Sequence, residues 1–292
     1  MQVSLVEALG KHESQAGGPG ALERSGNSEA VPALSTAAEV LFHRWKGYIH
    51  ARLWYYYHTV YECPTCISSS VLKTAGYMEH LPQHVLAPKA VKKTCVACLS
   101  PTACLHVYPM LTREQLDDEG SAIMVSGLCA RHKRGKWDPS SRLYMTEMVA
   151  VGTPEYVSVT RDAIAEEIVQ AFEAVGISGS FRDADASLCH DVSRRSRSVR
   201  RATGQNGEFR VTFGSGSISI VTISDHQDDY GRRFDIKDVN GRPAHSFCAA
   251  FSMERLTALG LGMWGNSVSG WPELLRTCAS STALSHPLEP AV

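Results

Sequence analysis

The stretch from Phe209 to Ile223 constrains the fold most. Phe209, Val211 and Phe213 alternate with polar residues, Gly214-Ser215-Gly216-Ser217 follows, and Ile218 to Ile223 is rich in β-branched side chains. A period of two puts alternate side chains on one strand face, and a Gly/Ser turn returns the chain alongside, so the segment predicts a β-hairpin. Two other stretches carry the helical period. Leu41, Trp45, Ile49, Leu53 and Tyr57 recur every four residues from Ala38 to Tyr57. Val157, Ile164, Ile168, Phe172 and Val175 share one face of a second helix, with Asp162, Glu166 and Glu167 near its start. Hairpins with helices beside them predict an α+β domain, an antiparallel sheet flanked by helices.

A chain of 292 residues that is 43% apolar buries one sizeable core. Residues 1–36 are rich in Gly, Ser, Ala and Glu with little apolar periodicity, which predicts a disordered tail; the folded domain is expected over 37–276 and a second tail over 277–292. Lys and Arg number 29 against 30 Asp and Glu, a net charge of −1, so no overall field recruits nucleic acid. Nine cysteines, an odd number, and the lack of an apolar run of signal or membrane-spanning length predict a reducing, cytoplasmic setting with no membrane partner. In that setting clustered thiols point to metal or catalysis.

The plainest local metal signal is Cys63-Pro-Thr-Cys66 with Cys95-Val-Ala-Cys98, two pairs that each could grip a metal through neighbouring thiolates. The 28 residues between them exceed the usual separation in a compact zinc ribbon, and the alternative is four small core side chains. The arginines at 194, 195, 197, 200 and 201 come without an aromatic residue to stack a base, so a solvated basic face is expected there.

Four segments together carry a family resemblance. They are Leu99-Ser-Pro-Thr-Ala-Cys104-Leu-His-Val-Tyr108; Gly127-Leu-Cys-Ala-Arg131-His-Lys133 with Arg142-Leu-Tyr-Met-Thr-Glu147; Asp225-His226 with Tyr230-Gly-Arg-Arg-Phe234-Asp-Ile236; and Ala244-His-Ser-Phe-Cys248-Ala-Ala-Phe-Ser-Met-Glu-Arg255, closed by Trp271-Pro272. In this order they resemble the amino acid:[carrier protein] ligases, which are homologous to the catalytic domain of class II aminoacyl-tRNA synthetases, the methanogen-type seryl enzymes in particular. The likeness spans about residues 38–275. It implies a class II synthetase-like fold and zinc held by Cys104, Glu147 and Cys248, with a fourth position open for the substrate's α-amino group. It also implies ATP with Mg2+, bound by Arg131 at the α-phosphate, by Arg255 at the γ-phosphate, and with Arg142 as a weaker third. Arginine suits this work because its fork grips phosphate oxygens in pairs and keeps its proton.

Two departures stand out. Lys133 occupies the place of an acidic residue that contacts adenine, and Ala250 and Ser252 replace glycines that let the nucleotide approach the backbone. The resemblance therefore implies a ligase that adenylates a small amino acid and transfers it to the phosphopantetheine thiol of an acyl or peptidyl carrier protein, acting as a homodimer and without tRNA. Its rivals are a zinc-binding pseudo-synthetase that binds an amino acid or partner without activating it, favoured by Lys133, Ala250 and Ser252, and a four-cysteine zinc platform over residues 63–98.

Overall fold

The computed structural model describes residues 36–81, 85–86, 97–130, 142–183, 206–214 and 216–278. The first element is α1 (Thr36–Leu53), followed by a 3-10 turn at Trp54–Tyr56. Then come β1 (Thr59–Glu62), β2 (Cys66–Ser68), α2 (Ser69–Thr74), α3 (Tyr77–His80), β3 (Ala97–Leu99), β4 (Ser121–Ala130) and β5 (Arg142–Gly152). The second half holds α4 (Pro154–Ala174), β6 (Gly179–Asp183), β7 (Asn206–Phe213), β8 (Gly216–Gln227), α5 (Asp229–Phe234), β9 (His245–Ser252), α6 (Met253–Trp264) and α7 (Glu273–Thr277).

Seven strands form one sheet in the order β1-β4-β5-β9-β8-β7-β6, and β2 pairs with β3 in a separate ribbon. The predicted hairpin is β7–β8. Pairing is antiparallel except at the edge, where β1 runs parallel to β4. The α+β expectation therefore holds with one parallel edge strand.

Both predicted helices are present, with shifted ends. α1 ends at Leu53, four residues short of the periodic stretch, and Tyr57 reaches the core from extended backbone at the end of the 3-10 turn. α4 begins three residues before Val157, where Thr153 caps the helix by accepting from Tyr156 N at 3.1 Å and Pro154 takes the first turn. Leu41, Trp45, Ile49 and Leu53 of α1 and Val157, Ile164, Ile168 and Phe172 of α4 are all buried in one cluster against a single face of the sheet. α6 completes that layer. Its sheet side is supplied by Met148, Ala150, Phe247, Ala249, Phe251, Val221 and Ile223.

Trp45 is the centre of this layer, with ring centroids 6.0 Å from Tyr48, 5.9 Å from Phe172 and 5.9 Å from Trp264. Trp45→Ala is expected to cost about 3–5 kcal/mol, read from the denaturant midpoint, because the cavity cannot collapse between two helices pinned to a sheet. A loss below about 1 kcal/mol would show loose packing at this crossing.

The opposite face of the same strands meets the segment 98–116 and α5 in a second cluster, which includes Cys104, Tyr108, Val125, Val149, Tyr230, Phe234 and Cys248. α5 lies close enough to β9 that a Cβ on Gly231 would stand 2.1 Å from the Ala244 carbonyl oxygen, so this contact requires glycine. Among the described residues no helix is long and apolar enough to cross a membrane.

Candidate functional site

Strand register decides which residues face this second layer. Val149 pairs with Cys248, Glu147 with Ala250 and Met145 with Ser252, while on the other side of β9 Ser224 pairs with Cys248 and Thr222 with Ala250. Directly paired residues share a face, so Glu147, Cys248, Ala250 and Ser252 all belong to the side away from the helical layer. The segment Ser100–Tyr108 lies over them and brings Cys104 down onto the sheet. That segment is fixed by Ala130 N donating to Ser100 O at 2.8 Å and by a 2.9 Å bond between Ser100 Oγ and His106 Nε2.

Cys104, Cys248 and His226 form the cluster, with candidate ligand atoms all within 4.8 Å of one another. Glu147 stands beside them, fully buried. Its Oε1 accepts from Thr102 Oγ1 at 2.7 Å and Ala103 N at 2.9 Å, and its Oε2 accepts from Cys104 N at 3.1 Å. These three donors are neutral, and among the described residues no ion pair reaches Glu147. Thr102 Oγ1 is also 3.3 Å from Cys104 Sγ. Of the three residues named from the resemblance, the structure thus brings Cys104 and Cys248 together, and sets the Glu147 carboxylate outside that group, bonded to the backbone that carries Cys104.

His226 was not foreseen as a member of this group. β8 shifts register between Asp225 and Gln227, and Gln227 has φ 49°, a left-handed conformation supported by its N–H donating to Asp225 Oδ1 at 2.8 Å. Arg161 of α4 holds Asp225 at 2.7 Å toward the helical layer. Alternation along β8 puts His226 on the other side, the side of Ser224 and its partner Cys248, between Tyr230 at 4.7 Å and Tyr108 at 6.3 Å between ring centroids. The Asp-His pair marked the position in the sequence; that it shares a face with Cys248 follows from the β8–β9 register.

The two thiols act as a pair. The Cys104 thiol donates to Cys248, which together with burial drives the Cys104 pKa well up; the same bond, aided by His226, draws Cys248 down. Two thiolates in contact repel, so the pair keeps a proton unless a cation replaces it. A buried carboxylate without a cationic partner, a thiol pair sharing a proton and a buried His226 Nε2 with no hydrogen-bond partner together make a donor set that fits a divalent zinc ion.

The nucleotide candidates divide. Arg131 and Lys133 lie outside the described residues. Arg142 is exposed at the start of β5. Arg255 is half-buried in the first turn of α6, where Nη1 donates to Ser219 O at 2.8 Å. Ala250 and Ser252 lie between Cys248 and Arg255 along β9, on the same face as Cys248. Ser252 Oγ is buried with no partner, as is Glu254 Oε2.

Glu254 Oε1 accepts from Tyr144 N at 2.6 Å. Burial raises its carboxyl from 4.5 to about 7, against the opposing effects of that hydrogen bond and of the Arg255 charge. The folded state therefore keeps a proton that the unfolded state releases between pH 4.5 and about 7, and stability falls as pH rises through that window. Glu254→Gln keeps the acceptor and removes the titration. Its stability relative to the parent should rise across the window by on the order of 2–3 kcal/mol. A gap independent of pH would mean that Glu254 ionises like an exposed carboxylate.

The four-cysteine pattern is not assembled by the described residues. Cys66 pairs with Leu99 and Ile67 with Cys98, so Cys66 and Cys98 point to opposite faces of the ribbon, the first exposed and the second buried. Cys63 is buried against Gly127, and Cys95 lies outside the described residues, as do the arginines at 194–201 and residues 1–35.

No family model matches the sequence. The chain is 29% identical over 189 residues to "Amino acid--[acyl-carrier-protein] ligase 1" of Bradyrhizobium diazoefficiens, covering 61% of this chain and 56% of that protein. It is 25% identical over 182 residues to ligase 2 of the same organism, covering 61% and 54%. The chain thus spans about half the length of the curated relatives it matches. Its fold superimposes on Pyrococcus horikoshii seryl-tRNA synthetase complexed with ATP, with a TM-score of 0.68 at 16% identity over 94% of this chain and 61% of that one. It does the same on M. kandleri seryl-tRNA synthetase in complex with tRNASec, with a TM-score of 0.68 at 16% identity over 82% and 55%. A sheet of this order, layered on one side by helices and on the other by the cysteine-bearing segment, is therefore the class II synthetase catalytic fold, in a chain similar in sequence to the amino acid–[acyl-carrier-protein] ligases.

Proposed function

We propose that the protein uses ATP to activate a small amino acid and passes the aminoacyl group to the phosphopantetheine thiol of an acyl or peptidyl carrier protein, with zinc held by Cys104, Glu147 and Cys248. The observation that carries this is the buried thiol pair beside a buried carboxylate on the face of a class II sheet opposite the helical layer. When bound, zinc would supply a Lewis-acid contact for the α-amino group, which orients an amino acid without reading its side chain. Glu147 fixes the Cys104 loop through its three hydrogen bonds, so the thiols are held before substrate arrives.

In the reaction a substrate carboxylate oxygen attacks the α-phosphorus and pyrophosphate leaves; the carrier thiol then attacks the carbonyl carbon, loses its proton and releases AMP. Charge moves onto pyrophosphate in the first step, and Arg131, Arg255 and more weakly Arg142 would offset it, with Mg2+ accompanying ATP. The arginines at 194–201 suit the acidic surface of a carrier protein. Similarity to the ligases and the class II fold support homodimer formation, and the odd cysteine count supports a reducing, cytoplasmic setting.

A second reading, zinc binding without activation, is favoured by Ala250 and Ser252 on the face the nucleotide would approach. Amino-acid-dependent exchange of pyrophosphate into ATP separates the two. Exchange with glycine, alanine or serine is expected; tight zinc with no exchange across the amino acids would leave the binding module.

A further inference from the structure

We infer that His226 is a fourth ligand of the metal in the substrate-free protein, occupying the position that the substrate's amino group takes on binding. The inference rests on the zinc reading above and adds to it the residue that closes the site.

The candidate ligand atoms of Cys104, His226 and Cys248 already lie within 4.8 Å of one another. The His226 Nε2 is buried without a hydrogen-bond partner, a costly arrangement unless something occupies the space in front of it. The ring is packed between Tyr108 and Tyr230, and both rings are held by Phe234. His226 stands on the Cys248 face of β8, two residues after Ser224, which pairs with Cys248, at the point where the β8–β9 register shifts.

Zinc in proteins is most often four-coordinate, and in the reading above Cys104, Cys248 and Glu147 would fill three positions. An imidazole this close fills the fourth and completes a closed set. An amino group can then enter only by displacing His226 or by expanding the shell. Because the bulged backbone around His226 is not locked into the ladder on the β9 side, the ring can withdraw without breaking the sheet. The capped site would keep bulk water from the ion until substrate arrives, and selection would favour ligands whose free amine outcompetes an imidazole.

The test is zinc K-edge X-ray absorption on the zinc-loaded full chain, alone and with glycine, alanine or serine. The substrate-free protein should give two sulfur scatterers at about 2.3 Å, a nitrogen at about 2.0–2.1 Å and the outer-shell scattering of one imidazole. His226→Ala should keep the sulfurs, lose the imidazole signal and bind zinc at least about 10-fold more weakly. Saturating amino acid should remove the imidazole signal from the parent. A parent spectrum with two sulfurs and no imidazole would overturn the inference while leaving the zinc reading standing, and it needs no variant to fold. An imidazole signal that persists in His226→Ala, with unchanged affinity, would overturn it as well. A parent that takes up no zinc would overturn both.

Discussion

Cys104→Ser and Cys248→Ser are each expected to lose most of the zinc from protein purified at one ion per chain, measured by metal analysis and by competition with a chromophoric chelator. Both sulfurs are buried and in contact, so each substitution removes half of the soft donor set and leaves a hydroxyl that does not ionise in its place. Loss of an outer partner typically costs about 10- to 100-fold in affinity, and loss of a ligand should exceed that. Glu147→Gln gives a graded comparison, because the amide keeps acceptor oxygen for the Thr102 and Ala103 donors while its nitrogen faces the Cys104 N–H at a position now 3.1 Å from Oε2. Full zinc retention in both cysteine variants would sink the assignment.

The second large effect is expected at Arg255. Arg255→Ala should slow ATP–pyrophosphate exchange by about 10²- to 10³-fold, the range found when one donor to a developing charge is removed. Zinc content should be unchanged, because Arg255 lies beyond the cluster, in the first turn of α6, and its present contact is the Ser219 carbonyl. Arg131→Ala is expected to be more severe, since it would act at the phosphorus under attack. Arg255→Lys keeps the charge but not the fork, and should recover part of the rate. Exchange at the parent rate in Arg255→Ala would make this arginine a tether between α6 and β8 and nothing more.

Some of the fold was legible because local spacing carries it. Leu41, Trp45, Ile49 and Leu53 announce a helix by themselves, and they are buried because a stripe of that width has to meet a sheet. Phe209, Val211 and the Gly/Ser turn announce the hairpin for the same reason. The parallel pairing of β1 with β4 was not legible: β1 is four residues long, and its partner lies about sixty residues on, so direction was set by the sheet it joined. The CxxC pairs looked metal-binding by spacing, and strand pairing turned Cys66 and Cys98 apart.

The site divides along the same line. Sequence alone supplied the donor types and, through the resemblance, proposed the trio Cys104, Glu147 and Cys248, because chemistry of this kind restricts which residues stand in each motif. Tertiary structure decided the rest. Cys104 and Cys248 meet across 144 positions only because one lies on a loop packed over β9 and the other is on β9 itself. Glu147 turns to that loop's backbone because its position in the register faces it. His226 reaches the thiols because it lies two residues beyond Ser224, the partner of Cys248, and shares its face, while Asp225 between them turns to Arg161 on the other side. Which residues can serve a metal is a property of side chains and can be read along the chain; which of them share one point in space follows from strand order and register, and these are fixed only when the whole sheet closes.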